Sequence, residues 1–276
     1  MPSKPKLGQN FLHDSQAIER IANALGDLSG GTVIEIGPGR GAITRALAAR
    51  AERVIAIELD PDLAAYLRDQ FPAGRVGVVQ ADVLTFDFAR AAAEAGKPLP
   101  VAGNLPYYIT SPILLKLAES HASLDRAVLM VQRELADRIV AAPGSRDYGV
   151  LSVTVQMYGP VEPLFTLPPG AFSPPPEVYS TVFRWRFALR FAELGVEEAD
   201  FLRFVRQAFA QKRKTLANNL RAAGYAASPI QAALLAASVP AQVRAEALSL
   251  EQLARMCIEL EKERADPRAE SALPNP

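Results

Sequence analysis

Val33-Ile34-Glu35-Ile36-Gly37-Pro38-Gly39-Arg40-Gly41 is an apolar run that breaks into a glycine-rich turn and continues into a helical pattern over residues 42–50. An apolar run without alternation suits a strand covered on both faces, and glycines after it let the backbone approach a ligand closely. The same unit recurs outward from this stretch. Short β-branched runs at 53–58, 76–80, 100–103 and 126–131 alternate with amphipathic stretches such as 62–71 and 111–119. Short apolar strands separated by helices predict a doubly wound α/β domain with a parallel sheet, whose ligands bind where the strand order reverses. Residues 161–167 and 179–187 follow without a comparable helix between them and are expected to close the sheet as an antiparallel hairpin.

Beyond residue 187 the pattern is helical only, through 201–220, 229–236 and 250–261. The expected organisation is a ligand-binding catalytic domain over 1–190, a small all-helical domain over 191–265 and a disordered tail over 266–276, where proline, alanine and charge mix without periodicity. With 276 residues, 49% of them hydrophobic, the chain can bury a core in both domains. A single cysteine, Cys257, excludes an internal disulfide framework. Two isolated histidines leave no recognisable zinc site, so a reducing, metal-independent setting is expected. The charged start is followed by no apolar h-region, and no apolar run approaches the roughly 18 residues of a membrane span, which predicts a cytoplasmic protein without a membrane partner.

Two acids extend the glycine turn into a ligand site. Glu58 ends the run at 53–58, nineteen residues beyond Gly39; a carboxylate at that strand end can accept both hydroxyls of a ribose. Asp82 ends the next run and suits the amino edge of an adenine. Together these features describe an adenosine pocket, which leaves NAD and S-adenosylmethionine as candidates. Asn104-Leu105-Pro106-Tyr107, directly after the fourth run, decides between them. The lone pair of an aromatic amine is delocalised into its ring, so the nitrogen is a poor nucleophile until its N–H groups are held. The Asn104 side-chain oxygen and the Leu105 or Pro106 carbonyl can each accept one N–H, aligning the lone pair with a sulfonium methyl. Proline stiffens the turn. Tyr107 offers a face for a base turned out of its stack, worth about 1–3 kcal/mol against an extrusion cost of a few kcal/mol. No general base is needed, because the donor is already cationic and positioning supplies most of the catalysis.

With these residues in place, the chain resembles the ribosomal RNA adenine dimethyltransferase family, and more closely its bacterial small-subunit branch. The resemblance spans nearly the whole chain. It rests on Leu7-Gly8-Gln9-Asn10-Phe11-Leu12, Glu35-Ile36-Gly37-Pro38-Gly39-Arg40-Gly41, Gly103-Asn104-Leu105-Pro106-Tyr107, Val131-Gln132-Arg133-Glu134, Tyr148-Gly149-Val150-Leu151-Ser152-Val153, Phe172-Ser173-Pro174-Pro175-Pro176 and Gln211-Lys212-Arg213-Lys214-Thr215-Leu216. It implies a Rossmann-like class I S-adenosylmethionine methyltransferase sheet with a small helical C-terminal domain. It further implies transfer of two methyl groups to each of two adjacent adenosines in a hairpin loop near the 3′ end of 16S rRNA, in immature 30S subunits, by a monomer. By the same resemblance Asn10, Leu12, Gly37, Glu58, Asp82 and Asn104 contact the cofactor, with Glu35 and Gly39 of the same turn beside them. The adenine site is then Asn104, Leu105, Pro106, Tyr107 and Phe172. Tyr108 stands where some relatives have asparagine, Glu177 where lysine is common and Tyr179 where aspartate is common.

A net charge of zero, from 30 basic and 30 acidic residues, argues against a nucleic-acid partner until its distribution is read. Residues 201–225 contain six basic side chains and no acidic one. If one helix runs through them, Arg203, Arg206, Arg213, Lys214 and Arg221 share an arc of about 100°, opposite an apolar stripe that includes Phe204, Val205 and Leu216. Such a stripe is commonly a solvated face; beside an adenine-methylating site it is expected to grip rRNA phosphates. Three other readings remain: a large-subunit, resistance-type methyltransferase of the same family, a DNA adenine methyltransferase, and a ribosome-assembly or transcription factor with secondary catalysis.

Overall fold

The computed structural model of the chain describes residues 10–265. Strands run over Phe11–Leu12 (β1), Thr32–Ile36 (β2), Arg53–Glu58 (β3), Val76–Gln80 (β4), Leu99–Asn104 (β5), Leu124–Gln132 (β6), Val161–Leu167 (β7), Phe172–Ser173 (β8) and Ser180–Arg186 (β9). Seven of them form one sheet in the order β4-β3-β2-β5-β6-β9-β7. The first five lie parallel, and β9 runs antiparallel to both β6 and β7. The expected closing hairpin is therefore present, with its second strand inserted next to β6. The element that decided the fold class, Thr32–Ile36, buries Val33, Ile34, Glu35 and Ile36 alike. Continuous burial is the signature of a parallel strand with a layer on each face.

Helices follow the parallel strands at Ala42–Ala48, Pro61–Gln70, Phe88–Ala95 and Thr110–Glu119. Their starts are written in the sequence. Asp60 accepts from the backbone of Asp62 and Leu63 ahead of Pro61 at the first helical position, and Asp14 accepts from Ala17 at 3.0 Å to cap Ser15–Ala24. The strand order reverses between β2 and β5, where Ile36 pairs with Gly103. A Cβ at residue 103 would lie 2.9 Å from the Ile36 carbonyl oxygen, so only glycine lets these two strands close. A separate antiparallel pair joins β1 to β8, with Leu12 opposite Phe172.

These strands belong to one compact unit, comprising the described residues up to Asp137 and Gly159–Phe187; the second consists of Arg138–Tyr158 and the described residues from Ala188 onward. The sequence division at residue 190 kept residues 138–158 with the sheet. They group with the helices because Val150–Met157 is buried on nearly all sides, and Gln156 ties it to the Ile139 and Ala141 carbonyls at 2.9 and 3.0 Å. Phe191, Phe201, Phe204, Val205, Leu253, Met256 and Leu260 fill the core of this unit.

One expectation is corrected here. Residues 201–220 are not a single helix but two, Glu198–Ala208 and Leu216–Ala222. The buried Asn219 side chain donates to the Ala208 and Gln211 carbonyls at 2.7 and 3.2 Å, replacing the bonds a continuous helix would make, and Thr215 caps the second helix through Asn218 N. The common arc assumed for the basic residues does not exist. The tail at 266–276 and the stretch Leu7-Gly8-Gln9 lie outside the described residues. Among the described residues no helix is long and apolar enough to cross a membrane.

Candidate active site

A cavity opens beyond the carboxyl ends of β2, β3, β4 and β5, at the strand reversal where ligands of open α/β sheets bind. Gly37, Gly39, Glu58 and Asp82 line it together, as do Leu12 of β1 and Asn10 just before that strand. Gly39 has φ +58, and a Cβ there would lie 3.0 Å from the Phe11 ring, so both the turn and its neighbour require glycine. The Gly39 amide donates to Glu58 Oε2 at 3.0 Å, and the Asp60 amide to Oε1 at 3.0 Å. Each Glu58 oxygen keeps a further lone pair for a ribose hydroxyl. Burial pushes the Glu58 carboxyl above the usual range, while these backbone donors pull it back. Asp82 uses one oxygen to accept from Leu84 N at 2.9 Å, and its second remains for an adenine amino group.

Glu35 is 1% exposed and lines the same cavity. Burial pushes its carboxyl up to about 8, hydrogen bonding from the Thr44 side chain and backbone pulls it back, and the Glu58 charge adds to the rise. The spare acceptors of Glu58 and Asp82, above an apolar floor of Ile36, Ile57 and Val83, fit a ligand that brings ribose hydroxyls and an adenine amino group into the cavity. The residues present thus fit S-adenosylmethionine.

The Asn104 side chain gives the deciding geometry. Its Nδ2 donates to the Asn10 carbonyl at 3.1 Å. Because a carbonyl can only accept, the amide orientation is fixed, and Oδ1 is left as an acceptor. The Pro106 carbonyl already accepts from Thr110 Oγ1 at 2.9 Å and from Ile109 N at 3.3 Å. Of the two carbonyls left open by the sequence, Leu105 is therefore the available one. The Tyr107 hydroxyl meets Ser180 Oγ at 3.1 Å, which holds its half-buried ring at the cavity wall. Two acceptors beside an aromatic face form an acceptor site for an aromatic amine, next to an adenosine pocket.

The sequence profile of the family described as "Ribosomal RNA adenine dimethylase" matches residues 2–262. The chain belongs to the ribosomal RNA adenine dimethylase family. It is 59% identical to a ribosomal RNA small subunit methyltransferase A of Acidobacterium capsulatum over 94% of this chain and 91% of that protein. A protein of the same description from Koribacter versatilis is 50% identical over 94% of this chain and 95% of its own length. Among solved structures, the 23S rRNA methyltransferase ErmE is similar at 29% identity and TM-score 0.69, covering 91% of this chain and 100% of ErmE. A dimethyladenosine transferase from Plasmodium falciparum shares the fold at TM-score 0.74 and 21% identity, over 92% of this chain and 98% of that one.

Not every residue expected of a dimethylase site gathers at this cavity. Phe172 is absent from its lining; it is 2% exposed, pairs across to Leu12 and packs in the hydrophobic core. In the helical unit, Arg203 is ion-paired with Asp200 at 2.7 Å and Glu261 at 3.0 Å, whereas Arg206, Arg213, Lys214 and Arg221 are exposed. Sequence reasoning missed Ser180 and Thr110. Ser180 is 73 residues from the tyrosine it holds and gives no local signal, while Thr110 lies four residues after Pro106, a spacing at which a hydroxyl commonly returns to a backbone carbonyl.

Proposed function

We propose that this dimethylase transfers methyl groups from S-adenosylmethionine to N6 of two adjacent adenosines near the 3′ end of 16S rRNA, giving N6,N6-dimethyladenosine during small-subunit assembly. The observation that carries the reading is the orientation of the Asn104 amide by Asn10, with the Pro106 carbonyl occupied. Asn104 Oδ1 and the Leu105 carbonyl accept the two N6 hydrogens and turn the nitrogen lone pair toward the donor. Tyr107, held by Ser180, stacks on the extruded adenine. Glu58 and Asp82 orient the adenosine of the cofactor, which when bound supplies an electrophilic methyl on a sulfonium. Catalysis by positioning is sufficient here, and the N6 proton leaves after transfer.

Identity favours a small-subunit acceptor, since the relatives of that description stand at 59% and 50% and ErmE at 29%. The chain acts as a cytoplasmic monomer on immature 30S particles, and its helical unit contributes phosphate contacts through Arg206, Arg213, Lys214 and Arg221. Transfer from labelled S-adenosylmethionine to undermethylated 30S, mature 30S, 50S and duplex DNA, followed by nucleoside analysis, tests the reading. Dimethyladenosine confined to undermethylated 30S is the expected result. Modification of 50S would move the assignment to the large subunit, and no transfer despite cofactor binding would favour an assembly factor.

A further inference from the structure

Two exposed tyrosines are left unused by the chemistry above, one in the cavity lining and one next to the serine that holds Tyr107. Tyr108 lines the cavity and is 58% exposed; Tyr179 is 50% exposed and immediately precedes Ser180, the partner of the Tyr107 hydroxyl. The Tyr179 carbonyl accepts from Arg133 N at 2.9 Å, which fixes its backbone to the end of β6. Both exposed rings thus flank the Tyr107–Ser180 bridge in sequence, one on each side. Among the described residues neither packs against another aromatic ring, and neither hydroxyl has a hydrogen-bond partner.

We propose that Tyr108 and Tyr179 form a stacking platform for the unpaired bases that flank the target adenosine. The inference rests on the proposed adenine chemistry and names what holds the rest of the strand. Turning a base out of a stack leaves its neighbours without their partner, and an aromatic side chain restores that contact for any base, because every base has a π-face. The charge beside Tyr179 argues for a base rather than a phosphate. Arg133 is offset by Asp137 at 3.7 Å, and Glu134 and Glu177 are exposed nearby in sequence, while Arg40 of the cavity lining lies over the Phe11 ring at 4.6 Å. A contact of this kind releases no counterions, which separates it from the basic residues of the helical unit.

The test uses the full chain and a single-stranded RNA oligonucleotide containing two adjacent adenosines, with 2-aminopurine on one side or the other. Wild-type protein is expected to quench the flanking fluorophore. Tyr108→Ala and Tyr179→Ala should each weaken binding on the order of five- to tenfold, the lower part of the range for base–aromatic stacking, and restore fluorescence on one flank. The slope of log Kd against log salt should stay at its wild-type value. Tyr108→Phe and Tyr179→Phe should behave as wild type, since the ring and not the hydroxyl is used. Unchanged affinity and quenching in the double alanine variant would overturn the proposal; so would a loss that phenylalanine does not rescue. Quenching is read without methyl transfer, so a chain that quenches but modifies no small-subunit RNA would sink the proposed acceptor and leave the platform standing.

Discussion

The Asn104 side-chain nitrogen donates to the Asn10 carbonyl at 3.1 Å, although 94 residues separate the two in the chain. A backbone group of the amino-terminal segment thereby sets which end of the catalytic amide can receive a substrate hydrogen. Asn104→Ala removes the acceptor and should lower turnover about 100-fold or more, the effect expected for a lost alignment. Asn104→Asp keeps an acceptor but places two oxygens against each other at Asn10, and should fail nearly as badly. Single-turnover rates with calorimetric cofactor binding check this; near-normal turnover in the alanine variant would refute the mechanism.

Tyr107 has two separable functions. Tyr107→Phe loses the bond to Ser180 and should lower stability by about 0.5–1.5 kcal/mol while leaving most of the activity. Tyr107→Ala loses the stacking face as well, worth about 1–3 kcal/mol, and should raise KM for the RNA particle 5- to 150-fold. Denaturant melts and steady-state kinetics on both variants separate the roles.

Glu35 makes the ligand-free protein pH-sensitive. Its carboxyl is pushed up from 4.5 to about 8 by burial, so across that interval the folded chain holds a proton that the unfolded chain has released. Stability should therefore be greatest below about pH 4.5 as far as this group is concerned, and fall as pH rises toward 8. Glu35→Gln abolishes the slope and should stabilise the ligand-free chain at pH 7 by about 3 kcal/mol. Unfolding midpoints of both proteins from pH 5 to 8.5 would expose an error, should their difference stay constant.

The basic residues of the helical unit divide by their partners. Arg206→Glu and Arg213→Glu, both at exposed positions, should weaken RNA binding and flatten its salt dependence by about 0.7 in slope per lost phosphate contact on single-stranded RNA. Arg203→Ala removes ion pairs to Asp200 and Glu261 and should instead reduce thermal stability, by no more than about 1 kcal/mol for a side chain 37% exposed. An unaltered salt titration for the double reversal would exclude this surface from RNA contact.

The sheet was legible because its central strands, Thr32–Ile36, Arg53–Glu58 and Leu99–Asn104, are buried on both faces and read as apolar runs. Arg53–Glu58 and Val76–Gln80 begin and end where the sequence puts them. Val150–Met157 was not read as a helix, since its polar residues Ser152, Thr154 and Gln156 fall at every second position and mask a 3.6-residue period. The break within 201–220 depends on where one side chain, Asn219, sends its amide, and periodicity continued across it without a sign. The cavity residues near the glycine turn could be named because each ends a strand. The choice between the Leu105 and Pro106 carbonyls could not, because it is made by Thr110 through a hydrogen bond. The burial of Phe172 depends on a strand pair only two residues long.

That short pair ties the two halves of the site together. β1 is joined to β8 by Leu12 and Phe172, and the residue just before it, Asn10, supplies the carbonyl that aligns Asn104. Asn10 and Leu12 also line the cofactor cavity, so filling the cavity and arming the acceptor site draw on one segment. Such a coupling makes one backbone segment answerable to both substrates: a change that shifts Asn10 disturbs the donor cavity and the acceptor amide together.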